Sequence, residues 1–177
     1  MIFKRQYIIF LVSNVFVVLL LVFVANRAYT GDSINVPEDF KSINEAIAAA
    51  SRFDTVIVAS GSYKENLFIT QPVNIVAMEQ AKLIAKEDKP AVTITTTHNV
   101  KIEGLEIIGG REGIFITNSS GVTVLRNKIS GSRQCGIRVS FGSARVKENK
   151  IVNTKGPKAC GIHVTNTMVR LPSVLSN

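Results

Sequence analysis

Residues 98–152 read HNVKIEGLEIIGGREGIFITNSSGVTVLRNKISGSRQCGIRVSFGSARVKENKIV, and this stretch decides the fold. Val100-x-Ile102, Val122-x-Val124 and Ala144-x-Val146 recur every 22 residues, and Ile107, Ile129 and Ile151 follow at the same spacing. A third apolar pair, Val92 and Ile94, then Ile114 and Ile116, Ile137 and Val139, and Ile162 and Val164, recurs at intervals of 22, 23 and 25 residues. Self-similarity at such a period marks a repeat architecture, in which each unit buries its apolar face against the next. Each unit holds three short, alternating, β-branched runs separated by Gly, Asn, Ser and Lys, too short and too turn-rich for helices. Strands that return once per unit in one direction pair in parallel, and the rest of the circuit is the crossover they need. The variable interval lies between the second and third runs, so insertions are confined to one corner.

Working outward, Asn127 and Asn149 share one repeat position, where Leu105 stands in the preceding unit. Stacked asparagines can bond amide to amide along the axis and tolerate a left-handed turn, although two ordinary turn asparagines fit as well. Upstream, Val56 to Val58, Leu67 to Ile69, Val73 to Ile75 and Leu83 to Ile84 have the look of earlier strands, which makes about five coils. The segment SINEAIAAA, residues 42–50, has capping-box spacing at Ser42 and Glu45 and apolar residues at Ile43, Ala46, Ile47 and Ala50. It predicts a short helix that caps the open end of the solenoid, where a terminal rung exposes its core and unpaired edge. No equivalent cap is legible near Val164; a longer solenoid, or a partner chain covering the C-terminal end, would each account for that.

Lys4 and Arg5 precede an apolar run from Tyr7 to Ala25, 19 residues long, about the length that crosses a bilayer core. Residues 1–30 are therefore expected to be a cleaved signal peptide or a retained membrane anchor, both of which stay open, since neither Ala25 nor Ala28 offers a good cleavage context. Either way the rest of the chain faces outward. The expected organisation is this hydrophobic signal or anchor helix over 1–30, a β-helix domain over 34–166 and an irregular tail over 167–177.

The run from Val36-Pro37 through Phe40, SINEAIAAA, DTVIVASGSYKENLFI (54–69) and PVNIVA (72–77) resembles the opening of the pectin-lyase-like superfamily of right-handed parallel β-helices. It is similar to the entry segment of carbohydrate-binding and sugar-hydrolysis domains, of pectin esterases, and of the periplasmic copper-site accessory protein of the NosD type. The resemblance spans residues 35–165. It implies the fold, an all-β right-handed parallel β-helix, and says little of function, because enzymes and non-enzymes share this opening. Within it, Gly61-Ser62-Tyr63-x-Glu65-Asn66 is read as a structural turn rather than a binding site.

The chemistry is sparse. Lyases of this fold hold calcium with clustered carboxylates, and calcium wants six to eight oxygens. From residue 91 onward there is no Asp, and the acids are Glu103, Glu106, Glu112 and Glu148, so no calcium cage follows. No complete pair of catalytic carboxylates is legible either, which leaves enzymatic activity open and tilts the reading toward a binding protein. No cofactor and no metal site are expected: His98 and His163 are far apart, and strand alternation sets Cys160 and His163 on opposite faces. Cys135 and Cys160 share a repeat position and should stack at about the 4.8 Å strand spacing, within reach of a disulfide. We favour a free inward-facing pair slightly over a bridge, because in-register neighbours have poorly directed Cβ vectors.

The formal charge of +8 is segregated: residues 1–90 hold nine basic and nine acidic residues, residues 91–177 twelve basic and four acidic. Such a surface suits an acidic partner. The outward positions of the third strand read Thr93, Phe115, Arg138 and His163, those of the first Lys101, Thr123 and Arg145, while Lys128 and Lys150 flank the second. An aromatic beside a cationic ladder can lie along an acidic sugar chain, an ordinary solvated face being the alternative. Asn118-Ser119-Ser120 is a bare glycosylation sequon. The sequence thus points to an exported or membrane-anchored protein of the cell envelope that binds or helps process polysaccharide. The alternatives are a NosD-type accessory protein and a truncated esterase- or lyase-like enzyme; a nucleic-acid partner is not expected, and residues 7–25 would hold the membrane if uncleaved.

Overall fold

The computed structural model describes residues 31–86 and 88–165. The leader and the irregular tail expected at 167–177 lie outside the described residues. Among those described, no helix is long and apolar enough to cross a membrane.

The chain opens with β1 (Ser33–Val36) and helix α1 (Ile43–Ala49), and then runs through five circuits of three strands. These are β2 (Thr55–Val58), β3 (Gly61–Lys64) and β4 (Leu67–Ile69), followed by β5 (Asn74–Ala77), β6 (Ala81–Ile84) and β7 (Val92–Thr95). The third circuit is β8 (Lys101–Glu103), β9 (Glu106–Ile108) and β10 (Ile114–Thr117), and the fourth is β11 (Val122–Leu125), β12 (Lys128–Ser130) and β13 (Cys135–Ser140). β14 (Ala144–Lys147), β15 (Lys150–Val152) and β16 (Cys160–Thr165) close it. The strands stack into three parallel sheets, ordered β1-β2-β5-β8-β11-β14, β3-β6-β9-β12-β15 and β4-β7-β10-β13-β16. The fold is a right-handed parallel β-helix, the hand that twisted strands impose on parallel crossovers.

The expected period is the observed register. Val100 to Leu105 lies over its 22-residue successors, with Ile102 facing Val124 and Val124 facing Val146, while Ile107, Ile129 and Ile151 align in the second sheet. Like stacks on like, so Ile75, Ile94, Ile102, Ile107, Ile114, Ile116 and Ile129 are fully buried in one bore. Each contributes on the order of 1.5–3 kcal/mol of transfer free energy. The structure has about six turns rather than about five, because β1 pairs with β2 and opens a circuit that α1 completes. That strand escapes a repeat count because its circuit contains no second or third apolar pair.

α1 sits where its pattern puts it. The capping box is formed, with Glu45 N donating to Ser42 Oγ and Ser42 N to Glu45 Oε2, both at 3.2 Å. Ile43, Ala46 and Ile47 are buried. Glu65 accepts from the Ile43 and Asn44 amides at 2.9 and 3.0 Å, so the next coil supplies the acid that the positive end of a helix favours. Tyr63 donates its hydroxyl to Ala59 O at 3.0 Å, and burial followed by the Glu65 charge raises its pKa. The GSYKEN segment is therefore structural as expected, with the correction that Gly61–Lys64 is a strand paired to β6.

The asparagine ladder is also formed. Asn127 Nδ2 donates to Asn149 Oδ1 at 3.0 Å and to Ile102 O at 3.0 Å, and Leu105 N donates to Asn127 Oδ1. At this corner of the preceding coil, Gly104 takes φ +78, and a Cβ there would lie 2.7 Å from Ala77 O. Ile162 and Val164, the inward pair of β16, are more than half exposed, since no further rung covers them among the described residues.

Candidate functional site

The seven outward residues singled out in the sequence lie on three different sheets. Lys101 and Arg145 belong to the first, Lys128 and Lys150 to the second, and Phe115, Arg138 and His163 to the third. They do not form one stripe, because the cross-section has three sides. On the first two faces both ladder acids, Glu103 and Glu106, are matched. Lys101 pairs with Glu103 at 2.9 Å, Arg126 bonds the same carboxylate, and Lys128 pairs with Glu106 at 2.7 Å. The Lys101 hydrogen bond, helped by Arg126 and opposed by burial, lowers the Glu103 pKa, and the Lys128 hydrogen bond does the same for Glu106. Lys150 and Arg145 have no ion pair among the described residues.

The third sheet differs. Phe115, Arg138 and His163 are register partners on β10, β13 and β16, so one outward ladder carries an aromatic, a guanidinium and an imidazole. Arg138 Cζ lies 5.7 Å from the Phe115 ring centroid, a cation–π distance. The ladder opens into a groove of about 490 Å³ whose walls include Arg111, Arg133, Arg138, Lys158, Cys135 and His163. Beneath it lies Glu112, 1 % exposed, whose Oε2 accepts from Arg111 Nε at 3.0 Å and whose Oε1 lies 3.6 Å from Arg138 Nη1. Among the described residues, Glu112 Oε1 and Arg138 Nε have no hydrogen-bond partner. Asp88, at the rim, pairs with Arg133 at 2.7 Å.

A break in strand alternation builds this groove. A Cβ on Gly136 would overlap Ile151 Cγ2, so Gly136 faces the bore, yet the next residue, Ile137, is also fully buried. Gly113 does the same one coil earlier, aimed at Ile129 ahead of the buried Ile114. Two successive inward residues shift the parity of whatever precedes them, in the manner of a bulge. Glu112, Cys135 and Cys160 therefore leave the bore and join the outward ladder's side. This corrects two expectations. Cys135 and Cys160 are bridged, with their Cα atoms 4.6 Å apart, rather than free and inward. Cys160 and His163 do not face opposite sides: the two sulfurs and an imidazole nitrogen all lie within 4.8 Å of one another.

Glu112 and the groove cations Arg111, Arg133 and Lys158 were not singled out from sequence. The available signal was the repeat slot itself, in which Glu112 precedes Cys135 and Cys160 by the same intervals as the third strand. Asn118 of the sequon is exposed, while Ser119 is buried and donates to Thr117 O at 2.8 Å.

The family model for a right handed beta helix region matches residues 65–172. The chain belongs to this family. Among curated proteins, the β-helix chain is similar to a cell surface glycoprotein of Methanothermus fervidus, 31% identical over 102 residues. The match covers 56% of this chain and 17% of that protein, so the β-helix protein spans a small part of its relative's length. No solved structure matches it.

Proposed function

We propose that this β-helix protein is exported to the cell surface, where it binds an acidic polysaccharide through the groove on its third sheet. The observation that carries this reading is the setting of Arg138, held between the Phe115 ring and the buried Glu112 carboxylate with its outer edge toward the groove. A guanidinium fork matches a carboxylate in two parallel hydrogen bonds, and an aromatic neighbour gives a sugar an apolar face to rest on. Rungs repeat at about 4.8 Å, so a linear polymer lying along the axis meets a new outward side chain at each step. Arg111 and Lys158 line the same groove and favour an anionic occupant, while Arg133 there is held by Asp88. The surface location is supported by the cell surface glycoprotein relative and by the apolar run expected to export the chain.

The test is binding to a uronic-acid polymer, with a neutral glucan as control, across a salt series. Binding that weakens with salt, is absent for the neutral polymer and falls by about tenfold or more in Arg138→Ala is the expected outcome, tenfold being about 1.4 kcal/mol. Equal retention of both polymers, or an unaffected Arg138→Ala variant, would overturn it.

A further inference from the structure

We infer that Cys135, Cys160 and His163 form a latent site for a thiophilic divalent cation, closed while the cysteines are bridged and opened by reduction. Three ligand atoms of the kinds such cations prefer, two sulfurs and an imidazole nitrogen, already lie within 4.8 Å of one another. Around a tetrahedral ion, with sulfur at about 2.3 Å and nitrogen at about 2.0 Å, ligand atoms sit roughly 3.5–3.8 Å apart. Reduction lets the two sulfurs part to that spacing, and the imidazole nitrogen, within 4.8 Å of both, closes inward onto the ion. His163 can make this movement, because it stands exposed on β16, the last described rung of the third sheet. The cysteines are register partners at the first positions of β13 and β16, each followed by a glycine.

The surroundings fit as well. The adjoining groove, about 490 Å³, gives water access to the fourth tetrahedral position. Two thiolates, a neutral imidazole and a divalent cation sum to zero charge, so the cationic groove does not expel the complex. The chemistry balances: a dithiol reductant passes two electrons to the bridge and closes into its own disulfide, leaving two thiols. The cation then displaces both thiol protons.

Cobalt(II) is the probe, added anaerobically to the full chain in detergent after reduction and removal of the reductant. The expected result is one cobalt per chain, with thiolate-to-metal charge-transfer absorption and the intense visible bands of tetrahedral coordination, displaced by zinc. The bridged protein should take up none, and His163→Ala should bind more than about tenfold more weakly, since a ligand loss costs at least as much as a supporting contact. His163 is exposed, so this variant retains the fold that a double cysteine replacement could disturb. Uptake by the reduced chain no greater than by the bridged chain would overturn the site. Unchanged affinity in His163→Ala would remove the imidazole from it and overturn the three-ligand proposal.

Discussion

The first two faces of the β-helix and the third treat the same ingredients in opposite ways. On the first and second faces, Glu103 and Glu106 stand in the outer ladder among Lys101, Arg126, Lys82 and Lys128, and each acid is shared by two cations. On the third, Glu112 is withdrawn below the surface and holds Arg111 and Arg138 from beneath. An acid beside a cation neutralises its outer edge, whereas an acid beneath it orients the cation and leaves that edge for a ligand. Surface pairs of the first kind are worth little, about 0–1 kcal/mol each. A buried acid of the second kind is costly unless its partners are retained, which makes the third face the more specific construction.

The largest expected effect comes from removing the feature that separates the faces. Gly136→Ala adds a methyl group against Ile151 Cγ2, with Gly161 O at 2.9 Å. Backbone and core must move, at a cost of roughly 1–3 kcal/mol. Urea unfolding should show the loss, and the same change at Gly161, where nothing lies within 4 Å of the added carbon, should not. Equal stabilities would mean that the parity shift is not maintained by this packing.

Next in size is the contrast in binding. Arg138→Ala should weaken uronic-acid polymer binding about tenfold or more, while Arg126→Ala and Lys150→Ala on the other faces should change it by less than about twofold. If Lys150→Ala matched Arg138→Ala, binding would be a diffuse charge effect and the groove would have no special standing. Glu112→Gln keeps the volume and removes the charge beneath Arg138. It should weaken binding by about threefold, less than loss of the guanidinium itself, since the fork remains but is less firmly oriented.

The two aspects of this molecule differ in how well the sequence exposes them. The period, the three strands per coil, the capping helix and the Asn127–Asn149 ladder are all legible, because each repeats a local rule at fixed spacing. Cys135 over Cys160 is legible for the same reason. Which way the cysteines face is not. Alternation counted back from Ile137 puts them in the bore, and a glycine that faces the bore leaves no hydrophobic mark to contradict that count. The groove was hidden by the same step, since Glu112 changes face with them. The pairing of Lys101 and Lys128 was missed for another reason: their acids lie on the same or the preceding coil, 2 and 22 residues away, and a search for cationic ladders passes over the acids between them.

The smallest effect, on stability at low pH, belongs to the first two faces. Lys101 and Arg126 hold the Glu103 carboxyl below the ordinary glutamate value of 4.5, and Lys128 holds Glu106 below it. A carboxyl with a depressed folded value stabilises the fold above its unfolded value, and that contribution fades as pH falls through the lower folded one. Stability should therefore decline as the solution is acidified below about 4.5, the unfolded chain taking up protons first. A Glu103→Gln, Glu106→Gln chain should lose less than about 1 kcal/mol near neutral pH, as surface pairs do. Its chemical-denaturation midpoint should then fall less steeply than the parent's between about pH 5 and 3. A parent and variant with parallel acid profiles would show that these ladders neutralise the faces without stabilising them, leaving the buried Glu112 as the acid whose placement matters.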